Sequence, residues 1–142
     1  MTVTIKRVYE KPARNDGARV LVDRLWPRGL SKQAAALKAW LKDLAPSDEL
    51  RKWYHAHPQQ WDKFRERYLK ELSAEAANQA LEKLYEIRNG HPRVTLLFAS
   101  RNTERNNATV LQQLINGDRK PPTGTGPVRL VRARRARAAL RR

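Results

Sequence analysis

Arg19-Val20-Leu21-Val22-Asp23-Arg24-Leu25-Trp26-Pro27-Arg28-Gly29-Leu30 is the stretch whose reading decides the fold. Val20-Leu21-Val22 is a short apolar run of the kind that suits a strand buried on both faces. An acid, two arginines, a tryptophan, a proline and a glycine then follow within seven residues. Pro27 and Gly29 stop the strand and leave the polar cluster at its carboxyl end, where open α/β sheets bind ligands. On one reading Asp23 and Arg24 pair with each other or with caps and Trp26 is core. On the other they form a site, because this set exceeds what a turn requires.

The second buried-strand candidate is Val94-Thr95-Leu96-Leu97-Phe98-Ala99, whose carboxyl end also turns polar in Ser100-Arg101-Asn102-Thr103-Glu104-Arg105-Asn106-Asn107. If the two strands are neighbours in one parallel sheet, their polar loops meet at one edge. A first strand is expected over residues 3 to 9, followed by a polar loop in which Asp16-Gly17 offers a turn.

From Ser31 to Leu44 the residues Leu37, Trp40, Leu41 and Leu44 fall at helix spacing, and a helix is the favoured reading, although Leu37, Ala39 and Leu41 also alternate as in a strand. Ser47-Asp48-Glu49 reads as a helix start running to about Tyr54, with Arg51 and His55 on one face. His57-Pro58 breaks the chain and opens a helix over 58–72 with the stripe Trp61, Phe64, Tyr68 and Leu72. A further helix, about Ala74 to Asn89, is expected to end in a left-handed cap at Asn89-Gly90. Ala108, Leu111, Leu114 and Ile115 mark a last helix ending near Gly117.

The sum is an α/β fold, a small, mainly parallel sheet flanked by helices, in one domain over residues 1–118. Residues 119–142 read as a Pro/Gly linker and a basic, Arg-rich tail. The chain carries thirty Lys and Arg against fourteen Asp and Glu, a formal net charge of +16. Nine of those basic residues and none of the acids lie in 119–142, so the body is only moderately basic at +7. The tail is either a basic segment for nucleic acid or an anionic surface, or an appendage with no selected role.

With no cysteine there are no disulfides, thiolate metal sites or cysteine nucleophile. No apolar run of membrane length and no signal-peptide core is present, which makes a cytoplasmic protein the expectation. Walker loops, GxGxxG and serine-hydrolase elbows are absent, and the spacing of His55 and His57 does not suit a helical metal pair; no cofactor and no metal is expected.

The residues singled out for a site are Arg24, Arg28 and Arg51 as anion donors, Trp26 as a wall or stacking surface, and Asp23 to hold an arginine in place. Ser100 and Asn106 are further donors, with a helix-capping role equally open to them. Histidine is the residue type suited to proton transfer near neutrality, so His55 and Asp23 are the catalytic candidates; a cap at the end of its helix is the plainer role for His55.

Lys6-Arg7-Val8-Tyr9 and Gly17-Ala-Arg19-Val-Leu-Val-Asp23-Arg24-Leu-Trp26-Pro27-Arg28-Gly29 resemble the YeaO-like branch of the family called domain of unknown function 488. The likeness continues through Trp40, Pro46-Ser47, Leu50-Arg51, His55, Phe64-Arg65, Tyr68, Glu71-Leu72, Thr95-Leu96-Leu97 and Asn106-x-Ala108, about residues 3 to 116. The resemblance implies a small bacterial cytosolic α/β domain and no particular activity. The wider family often carries a Cys-His-Arg motif near the place of Asn106-Asn107-Ala108, and thiol chemistry does not transfer to a chain without cysteine. Two functions remain in view: an anion-binding pocket at the strand ends for phosphate, carboxylate or nucleotide, and a nucleic-acid-binding module built on the basic surface and tail. A third is a protein-interaction domain whose arginines meet an acidic partner.

Overall fold

The computed structural model describes residues 2–117. The expected tail over 119–142 lies outside them. Four strands form one sheet: β1 (Thr2–Arg7), β2 (Ala18–Leu21), β3 (Ala39–Trp40) and β4 (Arg93–Phe98), in the order β1-β4-β2-β3. All three pairings are parallel. β4, the last strand in sequence, is therefore inserted between the first two, with Val94 opposite both Val3 and Ala18.

The alternation of side chains divides the sheet into two unlike faces. Val3, Val20, Val22, Val94, Leu96 and Phe98 join the main core. Helices α2 (Asp48–Ala56), α3 (Trp61–Glu71), α4 (Glu75–Gly90) and α5 (Asn107–Ile115) supply its other half through Leu50, Phe64, Tyr68, Leu81, Leu84 and Leu111. Each such aliphatic or aromatic side chain removed from water contributes about 1.5–3 kcal/mol. The stripes expected over 58–72, 74–89 and 108–117 all face this core.

Val8, Leu21 and Leu97 point to the opposite face and pack with Trp26, Leu30, Leu37 and Trp40. Among the described residues no long helix covers this side. Loop residues from 8–17 and 23–38 do so, with the short helix α1 (Lys32–Ala35) among them.

The helix expected from Ser31 to Leu44 is not formed. Ser31 caps α1, but the helix ends at Ala35, Ala36 adopts a left-handed backbone (φ 50°), and β3 follows. Leu37 and Trp40 belong to the second face, whereas Leu41 and Leu44 belong to the main core. One helical stripe faces one way. A segment that must serve both sides of a sheet has to run extended along its edge, and Val20 and Leu21 pair with Ala39 and Trp40 there.

Two smaller expectations also change. α4 runs through Gly90 and ends at His91 in an extended conformation, so Asn89-Gly90 is no left-handed cap. Pro58 lies in a turn before α3, which begins at Trp61.

The 3₁₀ turn Arg14–Asp16 joins β1 to β2 and is held from below. Asp16 is buried against Lys6 (3.1 Å) and Arg19 (2.7 Å), its carboxylate accepts from the Ala13 amide, and its carbonyl accepts from the Thr95 hydroxyl. Gly17 (φ 67°) passes so close to β4 that a Cβ there would sit 2.1 Å from the Arg93 carbonyl oxygen. At the outer edge, Val3 offers its carbonyl to Gln112, and Arg7 exchanges two bonds with Glu10. Such pairing blunts an edge strand against association. Among the described residues no helix is long and apolar enough to cross a membrane.

Candidate functional site

Because β2 lies beside β4, the two polar loops meet, and Asp23 joins them. One carboxylate oxygen accepts from the Ala99 amide (2.8 Å) and the other from the Asn107 side-chain amide (3.1 Å). The same Asn107 nitrogen reaches the Val22 carbonyl (2.9 Å), and the Trp40 indole donates to the Asp23 carbonyl (2.7 Å). Arg7 donates to the carbonyls of Ala99 and Ser100, both at 3.0 Å. The carboxyl ends of all four strands are thereby tied together.

Arg24 turns the other way. Its Nη2 donates to the Ala45 carbonyl (3.2 Å), while its buried Nε has no acceptor among the described residues. No carboxylate among them forms an ion pair with it. A half-buried guanidinium without a counter-ion is the unusual feature of this region, since buried charges are ordinarily paired.

Beneath it, Tyr68 is fully buried and donates to the Leu44 carbonyl. Burial, together with the negative charges of Asp23 and Glu71, pushes its phenol well above the ordinary range, against the pull of Arg24 and Asn107. Glu71 accepts from the amide and hydroxyl of Ser47 at 2.8 and 2.7 Å. Burial raises the Asp23 carboxyl above its ordinary value, opposed by the Ala99 amide, Asn107 and the nearby Arg51 charge.

The remaining expected residues divide by what their polar atoms do. Arg51 is exposed and meets Asp48 at 3.5 Å, yet stands close enough to act on Asp23. Arg28 is exposed, and its carbonyl accepts from the Tyr9 hydroxyl (3.0 Å). Trp26 donates to the Leu30 carbonyl and packs edge-on to Trp40 at 5.3 Å within the second core cluster. Its ring is committed to packing. Asn106 is 3% exposed and spent on the loop, accepting from the Thr109 amide as the cap of α5 and donating to the Asn102 carbonyl. Ser100 is exposed, with its hydroxyl accepting from the Asn102 amide. His55 lies exposed in the last turn of α2, with no hydrogen bond or ion pair among the described residues.

Sequence reasoning missed Asn107, Tyr68 and the Ala99 amide. Adjacent asparagines before an apolar stripe signal a cap without saying which one caps, and Tyr68 sits in a stripe indistinguishable from core. Two grooves open elsewhere. One of about 650 Å³ lies between α2 and α3, lined by Ser47, Glu49, Trp53, Arg67, Lys70 and Glu71 among others, and the second lies beside β3 and α4. Neither includes Asp23 or Arg24. Among the described residues no group of three His, Cys, Asp or Glu side chains could hold a metal ion.

Residues 2–124 match the family DUF488-N3i, described as the inactive DUF488-N3 subclade. The chain is 47% identical over 115 residues to the uncharacterized protein Rv3073c of Mycobacterium tuberculosis, covering 81% of this chain and 94% of that protein. It is 44% identical over 111 residues to the uncharacterized protein YeaO of Escherichia coli strain K12, covering 78% and 94% respectively. No solved structure matches it significantly.

Proposed function

The chain belongs to the inactive DUF488-N3 subclade, and from that premise we propose that it is a binding domain that captures a small anion at the carboxyl ends of β2 and β4 without turning it over. The observation that carries this reading is Arg24, a half-buried cation with an unsatisfied Nε and no carboxylate partner among the described residues. A phosphate or carboxylate beside it would supply the missing acceptors, and planar guanidinium groups recognise such oxygens well. Arg51, whose charge acts on Asp23, would add a second positive charge.

Asp23 is the positioning residue. Both its oxygens already accept bonds, from Ala99 just past β4 and from Asn107 of α5, so it fixes the backbone from which Arg24 projects. Binding without catalysis is favoured by the subclade's description and by His55, whose ring has no hydrogen-bond partner among the described residues.

Thermal unfolding of the full chain with and without inorganic phosphate tests this. A ligand at about one hundred times its Kd stabilises by about 2.7 kcal/mol. Phosphate should raise the parent's Tm, raise that of His55→Ala equally, and leave Arg24→Ala unmoved. Equal stabilisation of Arg24→Ala would refute the site.

A second reading, a nucleic-acid-binding module, rests on the acid-free charge of 119–142. Binding of that kind would fall steeply with salt and survive Arg24→Ala.

A further inference from the structure

The groove between α2 and α3 takes no part in the Arg24 site, and its walls carry charges that the fold leaves free. Leu50 and Trp53 of α2 are its apolar lining, one buried and the other half-buried. Glu49 stands on the α2 wall. Arg67, Lys70 and Glu71 stand on the α3 wall at i, i+3 and i+4, which is one face of a helix. Elsewhere on these helices charges pair within a turn, Arg51 with Asp48 at 3.5 Å and Arg65 with Asp62 at 3.6 Å. In the groove they do not: Glu49, Arg67 and Lys70 are exposed and form no ion pair among the described residues. Glu71 turns instead to the Ser47 amide and hydroxyl, and Arg67 lies over the Trp53 ring, 4.4 Å from its centroid. The His57 ring, stacked on the same indole at 5.1 Å, holds it further.

These contacts also order the charges along the groove. Ser47 at the start of α2 meets Glu71 at the end of α3, and Trp53 meets Arg67 further along, so the helices run antiparallel. Both carboxylates, Glu49 and Glu71, therefore lie toward the Ser47 end, Arg67 lies at the Trp53 end, and Lys70 stands between Arg67 and Glu71. Ser47 and Trp53 are six positions apart, about 9 Å along the helix axis. A lone anion would meet the cations but be repelled by the carboxylates, and a lone cation the reverse. A molecule with an ammonium at one end and a carboxylate at the other satisfies both. An extended dipeptide spans about 7 Å between those groups, close to the length available. The volume, about 650 Å³, lies in the range of small-ligand sites.

We propose that this groove binds a small zwitterion with an apolar body, a dipeptide or an amino acid, with its ammonium on Glu49, its carboxylate on Arg67 and Lys70, and its side chain against Leu50 and Trp53. Both sources present the same charged ends. Arg67 has five N–H donors, so it binds a carboxylate without leaving the Trp53 ring.

Calorimetric titration of the full chain with leucine, leucylleucine, N-acetyl-leucylleucine, leucylleucine amide and glycylglycine tests this. Leucylleucine should bind, and blocking either of its ends should weaken it about tenfold or more, as loss of a charged hydrogen-bond partner entails. Glycylglycine should bind more weakly, having nothing to bury against Leu50 and Trp53. Arg67→Gln should weaken leucylleucine as far as amidation does and leave the amide's affinity unchanged, and Glu49→Gln should do the same with respect to acetylation. Both positions are exposed, and thermal melts matching the parent's would confirm that the variants fold. Tighter binding of leucine than of leucylleucine would name an amino acid as the source, and the reverse order a peptide.

Equal affinity for leucylleucine and its two blocked forms would overturn the inference, as would a loss on blocking that is the same in the parent and in both variants. No binding of any of these ligands at millimolar concentration would overturn it too. None of these results bears on Arg24, which does not line the groove.

Discussion

Asp16→Ala would leave the Arg19 guanidinium, only 4% exposed, without a carboxylate among the described residues. Removing one member of a buried pair costs about 3–5 kcal/mol, because the charge left behind has lost water and gained nothing. The lower end applies, since Lys6 is 17% exposed and keeps its bond to the Lys11 carbonyl. About 3 kcal/mol is a large share of the roughly 5–15 kcal/mol that holds a domain of this size. Urea unfolding followed by circular dichroism at neutral pH would measure it. Adding Arg19→Met should restore about half the loss, because the stranded charge goes and one of its nitrogens, Nη2, has no acceptor even in the parent. The pH dependence gives a signed check. Burial pushes the Asp16 carboxyl up, but the Ala13 amide, Lys6 and Arg19 together hold it below its ordinary value. A depressed folded pKa means stability that is present above the unfolded value of about 3.9 and lost as pH falls through the folded one. The parent's advantage over Asp16→Ala should therefore stay level near neutrality and shrink in acid. A variant within about 0.5 kcal/mol of the parent, or a double variant no better than the single one, would refute the argument, since buried-pair removal cannot be that mild.

Asp23 should behave oppositely: its folded pKa is raised, so its contribution is complete below the unfolded value and lost as pH rises, and parent stability relative to Asp23→Asn should increase on acidification in urea titrations. Gly17→Ala should cost more than the about 1–3 kcal/mol of ordinary backbone strain, because its Cβ would strike the Arg93 carbonyl; Gly29→Ala, at φ 77° with open space around it, should stay within that range. Thermal melts compare the two directly. Arg24→Met should leave ligand-free stability unchanged or raise it by up to about 1 kcal/mol, and a loss above about 2 kcal/mol would mean that Arg24 serves the fold.

Much of the fold was legible because its elements bury one stripe each. The parallel sheet and the helices carrying Phe64, Leu81 and Leu111 follow from periodicity and turn chemistry, whereas the adjacency of the two strand ends is a condition that the sequence leaves open and the β2–β4 pairing meets. Residues 37–44 were misread because helix spacing and service to both sheet faces give similar patterns over eight positions, and only the sheet order distinguishes them. The Asp16 pair was invisible for a related reason. A carboxylate three residues before an arginine is common on surfaces, and only the passage of that turn across β4 buries it.

The site was legible as a place and poorly legible as a set of roles. A loop at the end of a parallel strand must first satisfy its own backbone and side chains. Asp23, Trp26, Ser100 and Asn106 are all engaged in that task, each with a named partner. Residue type therefore overstates the number of ligand donors, and the functional group is found by subtraction. Among the buried side-chain polar atoms of the two loops, the Nε of Arg24 is the one left without a partner among the described residues. The Arg24 Nη2 is tied to the fold through the Ala45 carbonyl, and the unsatisfied Nε is the cost that the proposed anion would relieve.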